Sequence, residues 1–411
     1  MSNIVTLHLD GGLVVVVEPI GGVASVALNW LLPVGSATDP PDGDGQSALV
    51  SELIFRGAAG MSSREHSDAL DRLGVRRSSQ TLTHHLGLGA TLVGDRLAEA
   101  LPLLTAMVRQ PAFPEQAVEA VRSLCIQSLE SLEDDPQHLV MLRLREQHLA
   151  PPFNRHGYGT RRVLETTSID ALRKAWSARC VPRGSILAAA GRVDPESLSR
   201  QLEGLLEGWR GEHDEPVELG RPKRGSLHVS DKTAQVHLAL AYDAPREADE
   251  RSMLERVAVG VLSGGTSSRL FTEVRQKRSL CYSVGASFRA GRDTGMVALY
   301  AGTTPERAQE TLDVCAAQIR RMSEGVDRAE FDRAIVGLKS HLIMQGESTA
   351  ARAAALGFDH FRLGRVRSLE EVAEAVDAIT LDELNRYLAD REFGPFTLAS
   401  IGPVELNAPA A

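Results

Sequence analysis

The order of predicted elements in this chain occurs twice. Hydropathy period gives a helix over Arg96–Arg109 with a counterpart over Arg307–Arg321, displaced by 211 positions. A helix over Pro114–Leu132 has a counterpart over Asp327–Met344, displaced by 213. The match extends upstream. A strand over Val26–Leu32 corresponds to one over Gln235–Tyr242, the helix Gln46–Arg56 to Arg251–Leu262, and the short helix Ser63–Leu73 to Ser268–Lys277. Offsets that stay nearly constant over so long a span point to duplication of one unit of about 200 residues.

Both copies mix strands and helices in the same way. Val5–Val17 reads as two short strands around Asp10-Gly11-Gly12, because Asp-Gly between apolar runs is a strong hairpin signal. Val23–Leu32 is a strand, Pro33–Gly45 is too rich in Pro, Gly and Asp for regular structure, and Thr81–Val93 alternates as a strand. The second copy adds strands over Tyr282–Arg289 and Gly295–Gly302. Antiparallel-looking strand runs followed by helices predict an α+β class. Each duplicated domain is expected to be a mostly antiparallel sheet with helices packed on one side. Gly211–Gly225 has the charge, Pro and Gly content of a linker, which places the domains at 1–210 and 226–411 with the linker at 211–225.

Composition removes several classes. The 411 residues carry a net charge of −9 and only 4% aromatics, which argues against a general nucleic-acid binder and against stacking platforms for single strands. The longest purely apolar run is Leu13–Val17, far short of the roughly 20 residues that span a bilayer. No signal peptide is visible at the N-terminus, and Cys125, Cys180, Cys281 and Cys315 form neither a CxxC pair nor a disulfide framework. A cytoplasmic protein with no membrane span is the expectation.

The stretch Gly45–Gly57 (GQSALVSELIFRG) resembles the signature region of the M16, or insulinase–pitrilysin, metallopeptidase family, which includes the processing peptidases. In that family the helix carries an inverted zinc motif, His-x-x-Glu-His, whose members share one helix face. The corresponding positions here are Ala48, Ser51 and Glu52. The family's third ligand, a glutamate on a later helix, corresponds to Ser128, 76 residues after Glu52 and just before Leu132–Pro136 (LEDDP). Alanine has no donor atom and a serine hydroxyl is a poor zinc ligand. The ligand positions and the general base are therefore degenerate, and no metal is expected in this chain. Cys125 and Glu52 are expected to be a small core residue and a paired or exposed carboxylate. His84 and His85 are adjacent on a predicted strand and so point to opposite faces, and His66, His138, His148 and His156 are scattered; all are expected to be solvated or hydrogen-bonded.

The second copy differs. Ser263–Val284 (SGGTSSRLFTEVRQKRSLCYSV) resembles the family's glycine-rich segment and following helix, with Arg275 and Tyr282 at the family's Arg and Tyr positions. The resemblance implies that this pair contacts substrate. An Arg fork and a phenol suit donation to a peptide carbonyl and to a developing oxyanion. His156–Gly159 (HGYG) and Ala190–Asp194 (AGRVD) extend the resemblance to nearly the whole chain.

The resemblance implies the LuxS/MPP-like metallohydrolase fold, its two halves enclosing a cavity. It further implies that the chain is by itself not an enzyme. It would be a non-catalytic subunit lending Arg275 and Tyr282 to a zinc-bearing M16 paralogue that cleaves peptides, with zinc in that partner and no cofactor here. A homodimer is also open. The alternative is a scaffold or peptide-binding pseudo-peptidase without a proteolytic role.

Overall fold

In a computed structural model describing residues 4–409, the described residues form eleven strands in two sheets, each with its own helices. The first sheet contains β1 (Val5–His8), β2 (Val14–Pro19), β3 (Ser25–Leu32), β4 (Arg76–Thr81), β5 (Leu86–Val93) and β6 (Ile186–Gly191), in spatial order β1-β2-β6-β3-β5-β4. Neighbours are antiparallel except for the parallel pair β2 and β6. Successive side chains alternate between the faces. Val15, Val17, Leu28, Trp30 and Leu88 share one core with Leu49, Leu53 and Leu101 of the helices. Val16, Ala27, Leu31, Ala188 and Ala190 meet Ala353 and Leu356 on the opposite face. Those last two belong to the helix Thr349–Leu363, which comes from the other half of the sequence. The Leu13–Val17 run is thereby explained, since a strand covered on both faces reads as continuously apolar.

The second sheet contains β7 (Ser226–Ser230), β8 (Val236–Asp243), β9 (Cys281–Ala290), β10 (Gly295–Thr303) and β11 (Thr397–Gly402), in order β7-β11-β8-β10-β9. Only β7 and β11 pair in parallel. Leu238, Leu240, Val297 and Leu299 pack with Val257, Leu312 and Ile319 on one face. On the other, Ala239, Ala241, Ala298 and Ala399 receive Val140 and Leu144 of the helix Pro136–His148. To the helices expected on one side of each sheet, the structure adds one on the other.

The compact units consequently depart from contiguous halves. One gathers the described residues up to Ser131 with Arg155–Leu219 and Gln345–Ser368. The other gathers Leu132–Asn154, Gly220–Met344 and the described residues from Leu369 on. The physical reason lies in the receiving faces. Alanines on the second face of each sheet leave room for a helix to approach closely, and each exchanged helix fits its Leu and Val or Ala side chains there. Locally, Thr81–Val93 is not one strand. Arg76–Thr81 forms β4, the chain turns over 82–85, and β5 follows.

Candidate functional site

The helix Gln46–Leu53 is set by its N-terminus. Asp39, buried in the preceding loop, accepts hydrogen bonds from Gly45 N at 3.0 Å, Ser47 N at 3.0 Å and Ser47 Oγ at 2.7 Å. Its carboxylate also pairs with Arg179 at 2.7 Å. An anion at a helix N-terminus satisfies free N–H groups and complements the helix dipole. Arg155 holds the same loop by donating to the carbonyls of Ser36 at 3.0 Å and Asp39 at 2.6 Å. The HGYG stretch closes the other side. Gly45 has φ +124°, and a Cβ on Gly159 would sit 2.3 Å from the Gly45 Cα, so backbone meets backbone only because both are glycine. The sequence marked HGYG as a family resemblance but gave it no mechanical role. Asp39 and Arg179 were missed altogether, because nothing local distinguishes Asp39 from the other aspartates of its loop.

The helices Gln46–Leu53 and Val118–Glu130 pack against each other. Ala48 packs against the core. Ser51 is buried and donates to Ser79 Oγ on β4 at 2.9 Å, while Ser79 Oγ donates to the Ser51 carbonyl at 3.0 Å. Cys125 is buried one turn before Ser128; burial, and secondarily the nearby Glu52 carboxylate, push its thiol up to about 12. Ser128 is exposed and its hydroxyl donates back to the Leu124 carbonyl at 2.9 Å. The structure thus brings the helices of these four positions together, but the donor set does not fit zinc. One position lacks a donor, two hydroxyls are engaged within the fold, and Glu52 is the one carboxylate. Among the described residues no group of three His, Cys, Asp or Glu is placed to hold a metal ion.

The histidines stand apart from this place. His66 is fully buried, its Nε2 donating to the Leu103 carbonyl at 3.1 Å, and Arg77 donates to its Nδ1 at 3.4 Å. His148 is equally buried, with Nδ1 2.9 Å from Thr397 Oγ1 and Arg224 donating to the same nitrogen at 3.1 Å.

In the second unit, Phe271–Gln276 forms a π-helical turn, marked by the Lys277 N–H bonding the Thr272 carbonyl at 2.9 Å. Such wide turns are rare and frequent at functional sites. Glu273 clamps the turn by pairing with Lys277 at 2.6 Å and Arg278 at 2.7 Å, and these hydrogen bonds hold its carboxyl below the usual range. The turn delivers the Arg275 guanidinium 4.8 Å from the Phe271 ring centre and 5.0 Å from the Tyr282 ring centre. Stacking of this kind is worth about 0.5–1 kcal/mol at an exposed site. Tyr282, at the start of the edge strand β9, is 81% exposed. Among the described residues no carboxylate pairs with Arg275, so its N–H fork stays available beside the phenol. Burial raises the neighbouring Cys281 thiol, and the Arg275 charge partly offsets that.

Two sheets, each with helices on both faces, thus form two compact units built from discontinuous segments, and the second carries the stacked Arg–Tyr pair. The insulinase (peptidase family M16) domain matches residues 14–160, and the peptidase M16 inactive domain matches 167–338. The chain belongs to the M16 family. It is 26% identical to an uncharacterized zinc protease of Streptomyces coelicolor, over 97% of this chain and 89% of that one. It is 25% identical to the uncharacterized zinc protease YmxG of Bacillus subtilis, over 96% and 97%. In fold it is similar to the crystal structure of a peptidase M16 inactive domain from Pseudomonas fluorescens, with TM-score 0.89, 19% identity and coverage of 99% and 100%. A protease from Helicobacter pylori gives 0.87, 17%, 98% and 100%.

These relatives correct one expectation. The sequence reading held that the chain by itself is not an enzyme, yet proteins similar along nearly its whole length bear the name zinc protease. The missing donors at Ala48, Ser51 and Ser128 describe one metal position and do not establish that the chain is not an enzyme. Among the described residues no helix is long and apolar enough to cross a membrane.

Proposed function

We propose that this chain acts in an M16-type peptidase as the subunit that presents Arg275 and Tyr282 to a peptide held at the zinc of a paralogous partner chain. The carrying observation is an asymmetry. The helix pair that would house zinc offers one carboxylate and engaged hydroxyls, while the second unit keeps an exposed Tyr282 stacked on a half-buried Arg275 that has no carboxylate partner among the described residues. A guanidinium fork matches the planar carbonyls of a peptide backbone, and a phenol O–H adds a directional donor where negative charge develops. The substrate class is a peptide or an unfolded segment, and the proposed place of work is the cytoplasm. The test is to mix the purified chain with a paralogue carrying an intact His-x-x-Glu-His helix, and to measure complex mass together with zinc content. One zinc per heterodimer, retained when this chain carries Glu52→Ala, is the expected result. A failure to associate overturns the subunit reading.

A further inference from the structure

The helix Thr349–Leu363 covers only part of the sheet face on which it packs. It lies over β3 and β6 and leaves β5 and the edge strand β4 largely open. The uncovered strip is a groove of about 340 Å³ within one compact unit. Alternation along the strands decides what lines it. Leu86, Leu88 and Ala90 of β5 serve the core on the opposite face, where Arg77 and Ser79 of β4 meet His66 and Ser51. Gly87, Gly89 and Thr91 therefore face the groove, with Arg76, Ser78 and Gln80 beside them. The two glycines leave its floor bare. Neither has a positive φ, and a Cβ on Gly87 would meet no atom nearer than Leu82 Cδ1 at 3.4 Å. The backbone thus does not require glycine here, and a glycine inside a strand marks a place of close approach.

The groove is polarised along its length. Its helical wall is Ala350, Ala354 and Phe358, each four residues after the last, so about 12 Å separates the two ends. Thr349 lies 3.4 Å from Ser25, which pairs with Val93, and this puts the helix start at the Thr91–Arg76 end. At the far end Phe358 and Leu82 pack on the cluster of Leu31 and Leu356, and the Arg362 guanidinium lies 5.0 Å from the Phe358 ring centre. Arg76 is exposed and forms no ion pair among the described residues, and no carboxylate among them lines the groove. The side chains of Asn29, Ser78 and Gln80 also make no hydrogen bond among the described residues, and their polar atoms are open to solvent. From the bare floor, the unengaged basic end and the apolar end, we propose that this groove binds a small carboxylic acid with an apolar body. Arg76 and Ser78 take the carboxylate, and the body lies on Gly87 and Gly89 toward Phe358. A guanidinium fork matches a carboxylate, and the volume falls at the small end of ligand sites.

The test follows the Gly87 and Gly89 amide resonances of the full chain as hydrocinnamate is added, with the alcohol and the amine of the same carbon skeleton as controls. The acid is expected to shift both amides saturably, at one site per chain. The alcohol and the amine are expected to bind about tenfold more weakly or not at all. Arg76→Gln removes a charge that holds no partner in the fold, so it is expected to leave stability unchanged and to weaken the acid about tenfold. Gly87→Val suits a strand and fills the floor, and is expected to abolish the shift at Gly89 while thermal unfolding stays at or above that of the wild type. The absence of a saturable shift overturns the proposal. So does an amine that binds as tightly as the acid, or acid binding that either substitution leaves unchanged. The general field of a chain with net charge −9 repels the acid and does not mimic the expected result.

Discussion

Replacing Asp39 by alanine is expected to loosen the helix that bears Ala48, Ser51 and Glu52. The Asp39 side chain is fully buried, and that of Arg179 is 12% exposed. The substitution strands a buried guanidinium and removes the acceptor of Gly45 N, Ser47 N and Ser47 Oγ. Breaking a buried pair by deleting one partner costs about 3–5 kcal/mol. Asp39→Asn keeps an acceptor oxygen and loses the charge, so its effect falls between wild type and alanine. A chain of two units need not unfold in two states, so the measurement is native-state hydrogen exchange at the amides of Leu49–Leu53. The stated cost corresponds to exchange faster by about two to four powers of ten if those amides open with the local unit. An acceleration below about fivefold, or an asparagine variant worse than alanine, would refute the reasoning.

Two further outcomes follow from the same structure. Grafting donors as Ala48→His, Glu52→His and Ser128→Glu should create a zinc site, because the two helices already pack together; elemental analysis should then find about one zinc per chain, and none gained means the helices are not aligned for it. His85 is buried beside His84, with Nε2 3.2 Å from the Gly184 carbonyl, and burial first, then His84, lower its pKa to about 3. The folded value lies below the unfolded one of about 6.5. Stability from the neutral ring is therefore present above pH 6.5 and lost as pH falls toward 3. His85→Gln, which still donates to the carbonyl, should reduce the slope of stability between pH 6 and 4 by up to about 1.4 kcal/mol per pH unit. An unchanged slope would show that His85 does not titrate there.

The duplication was legible because each long helix has a counterpart at nearly the same displacement, and the two observed sheets repeat that unit. Ala48, Ser51 and Glu52 were singled out only through the resemblance to the family's inverted motif, since no property of these three side chains marks them within the helix. β4 was not legible. Its sequence RRSSQT is polar throughout, because it is an edge strand with half of its residues exposed, so no apolar period announces it. The exchanged helices were hidden for another reason. Val140 and Leu144 look like core residues of any neighbouring helix, and only the alanine face of β8, β10 and β11 shows which sheet receives them. Arg275 and Tyr282 were named from the resemblance of Ser263–Val284 to the family segment, but their stacking depends on a π-helical turn held by Glu273, Lys277 and Arg278, which no local pattern predicts.

The proposal that the pair serves a partner's site is tested most directly by reconstitution from separately purified chains, with peptide cleavage and complex mass measured on the same samples. Removing one donor to a developing oxyanion lowers turnover by about 100- to 1,000-fold. Arg275→Ala and Tyr282→Phe are each expected to leave complex mass unchanged and to lower cleavage on that scale. Arg275→Lys should restore little, because a point charge does not reproduce a planar fork. Cleavage at the wild-type rate by both variants, with the complex still formed, would contradict the account.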